Sequence, residues 1–197
     1  DILGRLDRQR AVSLAATIDD ALLEEPPGTV RQGGLFSAGY EDELDEIIEA
    51  HEAALDWIDD LPEREKSKTG ITHLSVDRNT TDGYYIQVGN SEAADVPAEY
   101  EQIKSLKNSV RFTTDALQER EREILRLEER RHDMEYDLFT ELRERVGRNA
   151  ELIQDAGRAL AELDVLASLA THAVKNDWTR PELREDRTLD VEAGRHP

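Results

Sequence analysis

A change of period constrains this chain more than any other feature. From Glu41, residues on one line of a helix recur every three or four positions: Leu44, Ile47, Ile48, His51, Leu55, Ile58 and Leu61. A second such stripe runs through Leu117, Ile124, Leu127, Met134, Leu138, Leu142 and Val146. Both are amphipathic helices with a single apolar face. At 1.5 Å per residue they reach roughly 40 and 50 Å. Two long helices with one apolar stripe each pack most simply as an antiparallel pair. Between them, from Gly70 to Arg111, the period drops to two, with Tyr84-Tyr85-Ile86-Gln87-Val88 the strongest strand signal. The expected fold is therefore mainly α, a pair of long helices carrying a small antiparallel β domain at the tip.

The local chemistry sets the boundaries. Asp77 to Gly83 is turn-forming, and Ile71 to Val76 alternates, so the two strands make a hairpin. Gly89 to Pro97 reads as a loop. Tyr100–Lys107 and Val110–Thr113 flank a second turn at Asn108. Pro62 kinks or ends the outgoing helix. Thr113, Thr114 and Asp115 offer N-caps to the returning one, with Gln118 placed for a capping box on Asp115, and Gly147 is its stop. Residues 1–24, including Ile2, Leu3 and Leu6, have helical spacing that ends at Pro26-Pro27. Thr29 to Tyr40 is a connector in which Gly33, Gly34 and Gly39 permit tight turns. Arg148 to Lys175 is apolar around much of its circumference, which predicts burial among other helices, residues 1–24 being the obvious neighbours. Arg187 to Glu192 starts a strand.

Charge divides the chain in the same places. The whole carries −20, a surface that opposes non-specific binding to polyanions and suits very high salt. Glu41 to Glu65 holds twelve acidic residues against Arg64 alone. Between Lys66 and Arg111 six basic residues balance six acidic ones. The acidity stops at the tip. A neutral tip on acidic arms admits two readings: a β domain that carries few charges, or a surface facing a polyanion through its basic turns.

Other chemistry is excluded. There is no cysteine, hence no disulfide scaffold or thiol nucleophile. No P-loop lysine follows the connector glycines. His51-Glu52 starts like a zinc-protease helix but has Leu55 where the second histidine belongs. Glu129 and His132 form half of a di-iron motif with no second copy. The apolar runs fall short of the ~18 residues a membrane span needs. The expectation is a non-catalytic, cytoplasmic fragment of a larger protein.

Several segments together resemble the MutS family of DNA mismatch-repair proteins. They are Pro26-Pro27, Val30 to Gly34, Ser37 to Tyr40 and Glu43 to Asp45, then Lys68 to Ile71, Asn79 and Gly83 to Gln87. Pro97, Tyr100, Leu106-Lys107-Asn108, Arg111-Phe112, Ala161 to Leu166 and Gly194 to Pro197 complete the series. Each is weak alone, but their order and spacing are specific and cover nearly the whole chain. The resemblance implies a partial helical core at 1–40, an outgoing lever at 41–69 and a β clamp at 70–113. It implies a returning lever at 114–147, helical core at 148–178, and a linker at 179–197 into an absent ATPase domain. It also implies double-stranded DNA as partner, a homodimer, a MutL-like partner, and ATP with magnesium bound outside this fragment by a full-length protein that hydrolyses ATP. A branch of the family that does not recognise mismatches lacks the clamp, and the acidity resembles proteins of salt-loving archaea. Phe139-Thr140-Glu141 matches the family's mismatch-reading pattern, but it falls on the returning helix, where the match is chance.

For contact with DNA the candidates are Lys104, Lys107, Asn108 and Arg111 around one turn, and Arg78 and Asn79 at the other. Lys and Arg neutralise phosphate, and Asn donates to a phosphate oxygen; such contacts position a duplex without reading it. The Gly89–Pro97 loop carries Glu92 and Asp95, which predicts that it faces away from DNA. A structural coiled-coil arm with a protein-binding tip, as in chromosome-organising ATPases, is the alternative.

Overall fold

A computed structural model describes residues 7–192 and 194. The expectations for Ile2, Leu3 and Leu6 lie outside the described residues, as does the closing Arg195-His196-Pro197. The chain divides into two units, one of Val12–Gly147 and one made of the residues up to Ala11 with those from Arg148.

In the first unit, helices α2 (Asp42–Asp59) and α4 (Asp115–Gly147) lie antiparallel. Leu44, near the start of α2, is buried with Leu142 near the end of α4. Ile58 shares a core with Leu117 and Ile124 at the opposite ends. The stripes are those the spacing predicts, with Ala54 fully buried as well. The outgoing helix breaks at Asp60, two residues before Pro62. Pro62 sits in the first turn of α3 (Leu61–Thr69), where a missing N–H costs nothing. Gly70 closes α3 in the left-handed region, φ 76°, and donates its N–H to Lys66 O at 2.8 Å. Trp57 is covered by the guanidinium groups of Arg64 and Arg120, 4.3 and 5.1 Å from its ring centre. The cap of α4 is Thr114 rather than Asp115: its Oγ1 accepts the Leu117 N–H at 3.1 Å.

The β domain is a four-stranded antiparallel sheet in the order β1-β2-β4-β3. Its strands are β1 (Leu74–Asn79), β2 (Gly83–Gly89), β3 (Glu101–Ser105) and β4 (Ser109–Thr113). The first hairpin is tighter than expected, because β1 continues through Asn79. Leu74, Ile86, Val88 and Phe112 bury the sheet against Ile58, Leu61, Leu117 and Ile124. Four apolar strand positions alone make too small a core, so the sheet depends on the helix ends for burial.

A second core lies further down the pair. Ala21 at the end of α1 (Arg8–Ala21) packs with Leu35, Phe36, Leu44 and Leu142. The connector contains a single 3-10 turn, Val30–Gln32. Gly33 and Gly34 follow at φ 68° and 74°, a conformation open to glycine at little cost.

In the other unit, α5 (Ala150–Lys175) departs from expectation. Only Ala159 is buried. Leu160, Val165, Leu166 and Leu169 are more than half exposed, because no element among the described residues covers them. Arg10 Nε donates to Asn149 Oδ1 at 2.8 Å. The strand expected from Arg187 is also missing: 187–192 is irregular. An isolated strand with no neighbour to complete its hydrogen bonds has no reason to form. Gly194, expected to open the entry to a further domain, adopts no regular structure.

Candidate nucleic-acid interface

The strand register places the six candidate residues. Asn79 pairs with Gly83, and Gly89 pairs with Ser109. Gly83 and Gly89 lie six steps apart on β2, which separates the two hairpin turns by roughly 20 Å at ~3.3 Å per residue. The β1–β2 turn faces α4, since Tyr84 N–H donates to Glu121 Oε1 at 3.2 Å. The β3–β4 turn is at the other, open end. Arg78 and Asn79 do not join Lys107 and Asn108 on one surface.

Asn79 is engaged within its own turn. Its Oδ1 accepts the Thr81 and Asp82 N–H groups at 2.8 and 2.7 Å, and its amide donates to Asp82 Oδ2 at 3.1 Å. Arg78 lies over the Tyr84 ring, 5.2 Å from its centre. Arg111 is also committed. Nη1 donates to Asp82 Oδ2 at 2.7 Å, and the guanidinium sits 4.1 Å from the Tyr85 ring centre. Its side chain is 19% exposed. The Asn79 amide, and after it Arg111, holds the Asp82 carboxyl below its usual range.

Lys66 and Lys68 are neutralised too. Lys66 pairs with Glu63 at 2.8 Å and Lys68 with Glu99 at 2.7 Å. The Glu99 hydrogen bond raises the Lys68 pKa. Tyr100 donates to Glu65 at 2.7 Å, and burial pushes its pKa well up. Lys104 and Lys107 are exposed and hold no ion pair among the described residues.

The tip itself is a held structure. Leu106 N–H donates to Ser109 O at 2.8 Å. Asn90 then fastens the turn from the side: its amide donates to Lys107 O at 2.8 Å and its N–H to Asn108 O at 3.3 Å. The main chain of Lys107-Asn108 is fixed while both side chains stay in solvent. The acidic loop adjoins the candidate turn through Asn90. Glu92 is folded inward, accepting from the Thr72 N–H (2.9 Å), Thr72 Oγ1 (3.1 Å) and His73 N–H (3.1 Å). His73 Nδ1 lies 2.9 Å from it. These bonds, the Thr72 N–H foremost, lower its pKa to about 2.

Sequence reasoning missed two residues. Asn90 looked like an ordinary loop residue, and nothing in its spacing marks it. Glu135 is 1% exposed on α4. Its Oε1 accepts the Gly34 N–H at 2.8 Å and the Arg131 Nε–H at 3.0 Å. Its signal was present: Glu135 falls seven residues before Leu142, on the apolar stripe. Among the described residues no three His, Asp or Glu side chains are placed to hold a metal. No helix among the described residues is long and apolar enough to cross a membrane.

The model of MutS family domain IV matches residues 39–130, from the end of the connector to the middle of α4. A DNA mismatch repair protein MutS 1 of Haloarcula marismortui is 64% identical over 197 residues, all of this chain and 21% of the relative. One of Halobacterium salinarum is 53% identical over 201 residues, covering all of this chain and 23% of the relative. A MutS of Natronomonas pharaonis is 44% identical over 193 residues, 98% of this chain and 22% of that protein. The chain thus spans about a fifth of the length of the curated relatives it matches. With α2, the inserted sheet and the first half of α4 all falling within the match, residues 39–130 of the chain are a MutS family domain IV.

Proposed function

We propose that this chain is the lever and clamp region of a mismatch-repair ATPase, and that the sheet grips duplex DNA by its backbone through the β3–β4 turn. The observation that carries the reading is the Lys107-Asn108 tip. Its main chain is fastened by Asn90, and its side chains are exposed without an internal partner. Fixed main chain with free cationic and amide side chains is what contact with phosphate requires, and it carries no base specificity. Lys104 adds a second exposed cation, whose charge also acts on Asp82. Arg111 and Asn79 shape the sheet instead of binding. Arg78, at the end near α4, contacts DNA only if the duplex reaches that far.

In this reading α2 and α4 link the clamp to an ATPase domain outside this chain, where ATP and magnesium bind. The full-length protein works in the cytoplasm as a homodimer with a MutL-like partner. The acidic surface and the haloarchaeal relatives support a protein adapted to high salt. There the Debye length falls to roughly 3 Å, so attraction acts only at contact.

The test uses the full-length protein and a duplex titrated across a salt series. Lys107→Gln should weaken binding and lower the slope of log K against log salt by about 0.9. Lys104→Gln with Lys107→Gln should lower it by about twice that. Arg111→Glu is a poor probe, because it would break the Asp82 pair. Unchanged affinity and slope would overturn the reading and favour a protein-binding tip.

A further inference from the structure

The open end of the sheet holds more than its turn. Partners across the register share a face, so Ser75, Gln87, Arg111 and Lys104 form one row across all four strands, opposite the buried Leu74, Ile86 and Phe112. One pleat further out, Ser109 pairs with Gly89. A shallow groove of about 390 Å³ is cut into this face, bordered by Ser75, Gln87, Asn108 and Ser109, with Thr72 and His73 at its rim. Gly89 leaves its floor without a side chain.

Ser75, Gln87, Asn108 and Ser109 supply two hydroxyls and two primary amides. None of these side chains has an internal hydrogen-bond partner among the described residues. No carboxylate borders the groove. Glu92, behind the rim, is turned onto four donors of Thr72 and His73. Asp77 lies on the same face one pleat toward α4, outside the groove's lining. A concave site whose free side chains are uncharged donors, whose adjoining carboxylate Glu92 is already bonded at the Thr72–His73 rim, and which shares one wall with Asn108, fits a phosphate oxygen.

We infer that this groove is a second phosphate subsite, taking the DNA phosphodiester next to the one held at Lys107-Asn108. The inference rests on the DNA-clamp reading above and extends it from a point contact to a track along the sheet face. It also supplies binding that salt does not screen, because neutral donors at contact release no counterion. The track ends where Asp77 begins.

The experiment is duplex binding by the full-length protein, read as affinity and as salt slope. Gln87→Ala should weaken binding about threefold and leave the slope unchanged, whereas Lys107→Gln lowers the slope by about 0.9. Ser75→Asp and Gln87→Glu, which place a carboxylate in the groove, should each weaken binding tenfold or more. Ser75 is exposed, so its variant reports even where Gln87→Glu disturbs the fold, and thermal midpoints verify that each variant is folded. If Lys107→Gln acts and neither Ser75→Asp nor Gln87→Glu does, the groove is not a subsite and the clamp reading survives. If Lys107→Gln has no effect, the clamp reading falls and the subsite with it.

Discussion

Single residues show how the chain handles its excess of acid. Glu92 and Glu135 are both turned into acceptors for main-chain N–H groups, one beside the tip and one under the connector. Because the folded pKa of Glu92 lies at about 2 against 4.5 ordinarily, its contribution is complete above pH 4.5 and is lost as pH falls toward 2. Glu92→Gln should therefore lower the thermal midpoint at pH 7, and the gap from the parent should close over that acid range. A gap that persists at pH 2 would show that the charge is not what holds the loop. For Glu135, removal strands the half-buried Gly34 N–H and the Arg131 guanidinium together. Glu135→Ala should cost about 2–3 kcal/mol in denaturant unfolding, and Glu135→Gln less, since an amide oxygen still accepts from Gly34.

At the scale of elements, the contact that seats the sheet on its helix is between the β1–β2 turn and α4. Gly83 has φ 68°, and a Cβ there would lie 2.4 Å from Glu121 Oε1. Gly83→Ala should cost about 2–3 kcal/mol, the sum of left-handed strain and displacement of the Tyr84–Glu121 bond. In a Glu121→Ala background the same change should cost only about 1–2 kcal/mol, the strain alone. Equal costs in both backgrounds would mean that Glu121 does not couple the elements. The helices and the two hairpins of the tip were legible from period and turn chemistry; the sheet order β1-β2-β4-β3 was not. Legibility failed where an element lacked a neighbour: α5 has the pattern of a buried helix, yet pattern states what a helix needs and not whether it is supplied.

For the molecule as a whole the governing quantity is −20. Self-repulsion among the carboxylates destabilises the compact state, and screening relieves it. The thermal midpoint of this chain should rise between 0.1 and 2 M KCl; a midpoint that falls would count against adaptation to salt. The same charge predicts that the 197-residue chain alone binds duplex DNA very weakly at physiological salt. A micromolar affinity there would contradict this.

What the sequence determined by itself was the plan: two stripes of period 3.6, a block of period two between them, and an acidity that stops at the block. Those are local or compositional properties, written in consecutive residues. The ordered series of motifs was legible for the same reason and named the family. The use of each basic residue was decided only in three dimensions. Asn79 and Arg111 belong to internal networks because Asp82, distant from Arg111 in sequence, meets them across the sheet. A bulge between Gln102 and Lys104 carries Lys104 to the face opposite Phe112, where plain alternation would have put it on the Phe112 side. Lys107 and Asn108 stay free because their partner, Asn90, takes only their carbonyls. Whether a charge is available depends on what the fold brings within hydrogen-bond reach, and that is a property of pairing register rather than of spacing.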